Sequence, residues 1–273
     1  MQQGTVTAGH TAARESFGDA ASEVVRAEGG GQFQFEGLAL STHFQPIHCA
    51  HRGIAVGDEA LVRPRGLFDS LDCATLVRLD WTCRALHLRN YAVVDPGDRK
   101  LFLNVHPSAL VDDADGGRSF AELVRFYGLS PERVVLEILE SDCGDESALA
   151  AAALAHRELG FVIAMEDFGQ GRSNFDRIVA LRPRIVKMDG AMLSGALGET
   201  QSRRMLPTMV RMLRDTGADI AVKGIDSPRA AIAAIEAGAS YLQGFHLGAP
   251  SRLPHDENLS RELIESAQRL VAA

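Results

Sequence analysis

Polar side chains end seven apolar segments of this 273-residue chain. In chain order they are Glu59, Asn104, Glu137, Glu166 with Asp167, Lys187 with Asp189, Lys223 with Asp226, and Gln243. One polar residue at a strand end usually meets solvent, but unpaired charges that converge on one interior are costly. Carboxylate and amide oxygens suit Mg2+ and Mn2+, and such ions activate water for phosphate-ester hydrolysis. The pattern therefore predicts a Mg2+ or Mn2+ site for phosphate-ester chemistry, provided that the seven ends meet.

Alternating strand and helix patterns indicate how these ends could meet. Eight strand-like segments lie at 42–48, 54–62, 100–105, 134–138, 162–166, 184–188, 220–223 and 240–244. Amphipathic stretches lie at 73–89, 146–160, 203–217 and 228–238, and the last three close on Gly160, Gly217 and Gly238, as helix C-caps do. This rhythm predicts an α/β fold, a (β/α)8 TIM-like barrel, whose strand ends share one face. A doubly wound open sheet is the structural alternative.

The first two strands are joined by the short link HCAHRG, at 48–53. Such a short link cannot hold a crossover helix, so it predicts one antiparallel strand near the start of the barrel. Residues 1–31 are rich in Gly, Ala, Ser and Thr, which predicts a flexible N-terminal tail with a short helix around 22–28. The barrel domain is expected to comprise residues 32–273.

Composition excludes several classes of protein. Hydrophobic residues make up 46% of the chain and charged residues 23%, as in soluble globular proteins. No apolar run approaches about 20 residues and no signal peptide is evident, so we expect a cytoplasmic protein without membrane contact. A net charge of −8 argues against a nucleic-acid polymer as partner. The four cysteines have no CxxC spacing, which predicts reduced thiols at Cys49, Cys73, Cys83 and Cys143.

Seven short motifs occur along the chain in the order that is typical of one protein family. They are FQPI (44–47), DEALVR (58–63), LNVHP (103–107), LEILES (136–141), EDFGQGRS (166–173), KMD (187–189) and LQGFHLGAP (242–250). Over about residues 40–250 the chain resembles the EAL domain of cyclic di-GMP phosphodiesterases, and DEALVR contains the literal Glu59-Ala60-Leu61. A single EAL tripeptide would mean little, whereas seven ordered motifs at suitable spacing are specific.

The resemblance implies a role for each side chain of the site. Metal ions would be held by Glu59, Asn104, Glu137, Glu166 and Asp167. The ligand pocket would be formed by Gln45, Leu61, Arg63, Asp189 and Gln243, with the guanidinium of Arg63 on a phosphate of the dinucleotide. Lys187 would order the attacking water or the phosphate. Lys223 and Asp226 fall at catalytic positions.

Three acidic positions of the family are changed in this chain. Active EAL domains have D-D-F-G where this chain has E-D-F-G at 166–169, and E-G-V-E where it has K-G-I-D at 223–226. The family's glutamate at the position of Lys223 acts as a base on metal-held water, or orients it. A lysine among carboxylates stays protonated, so we expect Lys223 to form a salt bridge with Glu59, Glu137 or Glu166 in place of metal. The alternative is that its side chain points away and water fills its role.

Three functions follow from these departures. The first is a degenerate, catalytically silent or impaired EAL domain that acts as a cyclic di-GMP receptor or protein-binding regulator in bacterial second-messenger signalling. The second is an active phosphodiesterase that needs Mg2+ or Mn2+ and produces the linear dinucleotide pGpG. The third is an interaction protein that binds no nucleotide. The expected partners are cyclic di-GMP, an unidentified protein and, by analogy with family dimers, a second copy of the chain.

Overall fold

The computed structural model describes most of the chain from residue 31 onward. The described residues are 24, 31–69, 71–94, 97–113, 115–141, 144–169, 175–198, 200–254 and 259. Most of the expected N-terminal tail, the end of the expected domain and Cys143 therefore lie outside the described residues. Of the short helix expected at 22–28, only Val24 is described, and it is helical and buried.

Nine strands occur in the described chain, and eight of them close into a barrel. Their bounds are β1 Gln32–Phe35, β2 Leu38–Cys49, β3 Ala55–Arg63, β4 Lys100–Val105, β5 Val134–Ile138, β6 Val162–Phe168, β7 Ile185–Met188, β8 Asp219–Val222 and β9 Tyr241–Leu242. Strands β3 to β9 are parallel neighbours in chain order, and β2 is antiparallel to both β3 and β9. This closure confirms the predicted (β/α)8 TIM-like barrel with one antiparallel strand, and β1 adds a hairpin outside it.

Helices surround the barrel in the order that the sequence predicts. Among the described residues they are α1 Cys73–Val94, α2 Pro107–Val111, α3 Arg118–Phe126, α4 Glu146–Glu158, α5 Phe175–Leu181, α6 Gly190–Gly198, α7 Thr200–Arg214 and α8 Pro228–Glu236. The side chains of Asp145 and Ser227 cap the N-termini of α4 and α8. Beyond the C-termini of α4 and α8, Gly160 and Gly238 adopt φ angles of 103° and 94°, as the predicted C-caps require.

The strand bounds correct several sequence-based expectations. Strand β1, with the sequence QFQF, was not predicted, and β2 begins four residues before the expected position 42. Strand β9 contains only two residues, so Gln243 lies just beyond it. No helix within the described ranges is long and apolar enough to cross a membrane. Apolar side chains of the barrel strands, among them Ile47, Phe102 and Ile185, form one buried cluster.

Candidate ligand and metal site

The polar residues meet because the parallel strands end at one face of the barrel. Asn104 on β4 lies directly beside Glu137 on β5, and Gln45 on β2 lies directly beside Glu59 on β3. Lys187 lies near the end of β7, and Glu166 lies near the irregular end of β6. Lys223 directly follows β8, and Gln243 directly follows β9. Residues separated by up to 198 positions in sequence are thus brought into one cluster.

Lys187 forms the buried centre of this cluster. Its ammonium Nζ lies 2.8 Å from Glu59 Oε2, 2.7 Å from Glu137 Oε1 and 3.1 Å from Glu166 Oε2. The Lys187 side chain is 0% exposed. A buried ammonium is tolerated only where opposite charges surround it, and three carboxylates do so here.

Lys223 neutralises the outer side of the same cluster. Its Nζ contacts Glu166 Oε1 and lies 2.7 Å from Asp167 Oδ1, and its side chain is 26% exposed. The backbone is fixed there, because Lys223 N–H donates to Met188 O. The next residue, Gly224, has a φ of 74° and packs on the backbone of Gly190 too closely to accept a side chain. The alternative in which Lys223 points away is wrong.

A local irregularity lets two adjacent acidic residues serve one ammonium. Neighbouring side chains of a regular strand point to opposite faces. The pairing of β6 with β7 shifts between Met165 and Phe168, and Asp167 has a left-handed φ of 52°. This bulge turns the strand end so that Glu166 and Asp167 both contact Lys223.

Amide side chains complete the hydrogen bonding of Glu59. Asn104 Nδ2 donates to Glu59 Oε1 at 2.9 Å, and Gln243 Nε2 donates to Glu59 Oε2 at 2.8 Å. Gln243 Nε2 also lies 3.4 Å from Gln45 Oε1, while Gln45 Nε2 donates to Gly248 O. Both Glu59 oxygens are therefore occupied by donors of the protein.

Burial and charge move the pKa values of this cluster in opposite directions. Burial raises the pKa of Glu59, but Lys187, Lys223 and the hydrogen bonds outweigh it and lower that pKa to about 2. Burial and the neighbouring carboxylates raise the pKa of Glu137 and of Glu166. For Lys187 and Lys223, burial lowers the pKa, yet the surrounding carboxylates raise it above the ordinary lysine value. Both lysines are thus held as ammonium ions.

The donor set has the chemistry of a hard-cation site, but most of its oxygens already face donors of the protein. Mg2+ requires about six oxygen ligands at roughly 2.0–2.1 Å. Glu59, Glu137 and Glu166 have six carboxylate oxygens. Glu137 Oε2 is buried and has no partner within the described chain, whereas each of the other five faces an ammonium or an amide. Across the described ranges, no group of three or more His, Cys, Asp or Glu side chains could hold a metal ion. The residues as arranged do not fit the predicted Mg2+ or Mn2+.

Four predicted site residues stand apart from the cluster. Leu61 and Arg63 share the strand face of Glu59, and Arg63 Nη1 donates to Val62 O. Asp189 Oδ1 accepts from Ala191 N at the start of α6, and the exposed Asp226 accepts from Ser227 Oγ. The structure therefore brings neither aspartate into contact with the two lysines.

A buried ion pair in α1 was not predicted from the sequence. Arg84 Nε lies 2.7 Å from Asp80 Oδ1 within α1, and the guanidinium stacks 3.8 Å from the ring centroid of Trp81. Asp80 Oδ2 accepts from His106 N, two residues after Asn104. The spacing of Asp80 and Arg84, four apart in an apolar helix, was the available signal.

Comparisons with known proteins agree with the barrel fold. The EAL domain family model matches residues 32–250. Probable cyclic di-GMP phosphodiesterase PdeA of Escherichia coli (strain K12) is 26% identical over 171 residues, 61% of this chain and 23% of that protein. Cyclic di-GMP phosphodiesterase RocR of Pseudomonas aeruginosa is 29% identical over 160 residues, 57% of this chain and 40% of that protein.

A solved structure is similar over most of the described barrel. The Bacillus subtilis YkuI protein, with an EAL domain, in complex with substrate c-di-GMP and calcium, has a TM-score of 0.72 and 25% identity. The similarity covers 85% of this chain and 61% of that chain. The chain thus spans less than half the length of the two curated relatives and about three fifths of YkuI.

Proposed function

This chain belongs to the EAL domain family, and from that premise we propose that it is a degenerate member that binds cyclic di-GMP as a receptor and hydrolyses it weakly or not at all. The observation that carries the proposal is the position of Lys223, whose ammonium bridges Glu166 and Asp167 at the open side of the carboxylate cluster. By resemblance, active members have a glutamate at this position.

Loss of hydrolysis follows from the charge state of Lys223. A general base must accept a proton near neutral pH, and its removal costs about 10²–10⁴ in rate. The carboxylates around Lys223 raise its pKa above the ordinary lysine value, so the side chain has no free lone pair. Its ammonium also lies where a glutamate would otherwise add negative charge. Both effects weaken hydrolysis at this site.

Ligand binding is supported by the side chains that the cluster leaves available. Arg63 lies four residues along β3 from Glu59, on the same strand face and about 13 Å away toward the strand's carboxyl end. Within the described chain its guanidinium makes one hydrogen bond, to the carbonyl of Val62, so it can turn to a phosphate. Gln45 and Gln243 both lie beside Glu59, and their amide groups are 3.4 Å apart.

An active phosphodiesterase is the second candidate, and two observations favour it. The relatives PdeA and RocR are named as phosphodiesterases, and the acidic residues Glu59, Glu137 and Asp167 are retained together with Asn104. For this function Lys223 would have to leave Glu166 and Asp167 when the ligand and a metal ion bind. That exchange would break two charge-assisted contacts, one at 2.7 Å.

The deciding experiment combines calorimetric titration with a hydrolysis assay on the full 273-residue chain. Cyclic di-GMP is titrated with and without Mg2+, and the same samples are followed by chromatography for pGpG. Saturable binding without product supports the receptor. Rapid product formation supports the active enzyme instead. Absence of any binding contradicts both and leaves the interaction protein that binds no nucleotide.

A further inference from the structure

Lysine is rare in this chain and concentrated in the cluster. The sequence contains only Lys100, Lys187 and Lys223, and two of these three occupy the site. Arginine carries nearly all other positive charge. An ammonium is a compact point charge that fits between converging carboxylates, whereas a planar guanidinium needs a flat, bidentate partner. The two lysines are therefore suited in shape to the positions between these side chains.

The ammonium ions lie where carboxylate oxygens converge. Lys187 Nζ has three carboxylate oxygens within 3.1 Å. Lys223 Nζ contacts Glu166 and lies 2.7 Å from Asp167, so Glu166 is shared between the two ammonium ions. A divalent cation that bound Glu166 Oε1 or Asp167 Oδ1 would have to displace Lys223 first.

Lys223 is also the cation that an incoming ligand would meet. Lys187 is 0% exposed, whereas Lys223 is 26% exposed, on the solvent side of the same carboxylates. A phosphodiester oxygen that entered from the strand ends could accept from Lys223 without any ion between them. The ammonium would then supply the positive charge that a metal ion supplies in a metal-dependent phosphate site.

We propose that Lys223 is a built-in substitute for divalent metal, so that this domain excludes Mg2+ and Mn2+ from the carboxylate cluster and binds the phosphate of its ligand without metal. The exclusion of metal rests on the contacts of Lys223 alone. The ligand half rests on the proposed function. Four carboxylates and two ammonium ions give the cluster a formal charge of −2, and removal of the Lys223 charge makes it −3.

The test of exclusion uses Mn2+ alone, without nucleotide. Binding of Mn2+ to the full chain is followed by the loss of the free-ion electron paramagnetic resonance signal, for the unmodified protein, Lys223→Gln and Lys100→Gln. Lys100 is the matched control, because its ammonium donates to Glu132 O away from the cluster. We expect Lys223→Gln to bind Mn2+ at least about tenfold more tightly than the other two proteins. Equal binding by all three, or tight binding by the unmodified protein, would overturn the proposal.

The test of metal-free ligand binding compares cyclic di-GMP affinity in a chelator with that in Mn2+. We expect the unmodified protein to bind cyclic di-GMP with the same affinity in chelator and in Mn2+. Mn2+ should raise the affinity only for Lys223→Gln. A requirement for Mn2+ in the unmodified protein would contradict the inference. Absence of nucleotide binding under both conditions would overturn the proposed function and the ligand half, while the Mn2+ titration still decides the exclusion of metal.

Discussion

At the scale of single residues, Lys223 determines how the surrounding acids can be used. Two unit charges about 4 Å apart interact by about 4 kcal/mol at an effective dielectric constant of about 20. A divalent ion at that distance from the Lys223 ammonium would therefore be repelled by about 8 kcal/mol. The same ammonium gains charge-assisted hydrogen bonds to Glu166 and Asp167, which a glutamate there could not form.

Restoring acid at this position should restore catalysis. We expect the unmodified protein to show cyclic di-GMP cleavage below ordinary detection, and Lys223→Glu combined with Glu166→Asp to show Mn2+-dependent cleavage. The double change removes the repelling ammonium and returns the family's side chains to both positions. Chromatography of pGpG measures the rate. Turnover of the unmodified protein within tenfold of an enzyme median of about 10 per second would contradict this account.

Arg63 provides a second test at the scale of one residue. Arg63→Ala should weaken cyclic di-GMP binding by about 1.5–3 kcal/mol, the usual loss of a hydrogen bond to a charged group. Arg78→Ala is the control, because Arg78 forms an exposed pair with Glu36 on the outside of the barrel. Calorimetric titration compares the three proteins. Unchanged affinity for Arg63→Ala would mean that this guanidinium does not hold the ligand.

At the scale of elements, α1 carries a buried ion pair against the barrel. Asp80 and Arg84 are 3% and 1% exposed at their side chains. Removal of one partner leaves an uncompensated buried charge, which costs about 3–5 kcal/mol. Asp80→Leu and Arg84→Met should each lower the free energy of unfolding by about this amount, as measured by urea denaturation.

The double variant Asp80→Leu/Arg84→Met separates the charge effect from packing. It should recover most of the loss, because no unpaired charge remains, but still lack about 1–3 kcal/mol from the unsatisfied His106 N–H. Truncation of the exposed Arg78–Glu36 pair should change stability by less than about 1 kcal/mol. If the double variant loses as much unfolding free energy as the two single variants together, the charges of the pair are not the cause of the losses.

Elements with apolar runs and helix-closing glycines could be predicted from the sequence, including the four-residue strands β7 and β8, whereas the short polar strand β1 could not. VVLEI at 134–138 was predicted with the bounds it has, because a fully buried parallel strand is apolar throughout. QFQF at 32–35 alternates over only four residues, too few to distinguish from the glycine-rich tail. The bulge before Phe168 also has no compositional signal, since it depends on the pairing with β7.

At the scale of the whole molecule, barrel closure assembles the site. Once the barrel is predicted, the meeting of Glu59, Asn104 and Glu137 follows from the common direction of the strands. Closure through His48 and Leu242 brings Gln243 beside Glu59. The partners of Lys223 could not be assigned in advance, because the sequence is compatible with Glu59, Glu137 or Glu166, whereas the observed contacts are Glu166 and Asp167. Those contacts depend on the turn at Gly224 and the bulge in β6.

Packing of α1 on the barrel also makes stability depend on pH. His87 is buried, and its Nδ1 lies 2.7 Å from Thr42 Oγ1 on β2. Burial lowers the pKa of His87 to about 3, although the negative charge of Glu59 opposes this shift. In the unfolded chain the imidazole should titrate near about 6.5. The folded protein therefore holds His87 neutral at pH values where the unfolded chain binds a proton.

The sign of the pH effect follows from this difference in proton binding. The contribution of His87 to stability is fully present above about pH 6.5 and declines as the pH falls toward the folded-state value, by about 2 kcal/mol between pH 6.5 and 4.5. His87→Gln keeps a hydrogen-bonding group near Thr42 but cannot titrate. Between pH 6.5 and 4.5 this variant should therefore lose about 2 kcal/mol less stability than the unmodified protein. His51→Gln, at an exposed position, should follow the unmodified protein. Urea denaturation at several pH values measures all three, and parallel curves for His87→Gln and the unmodified protein would mean that His87 is not held neutral by the fold.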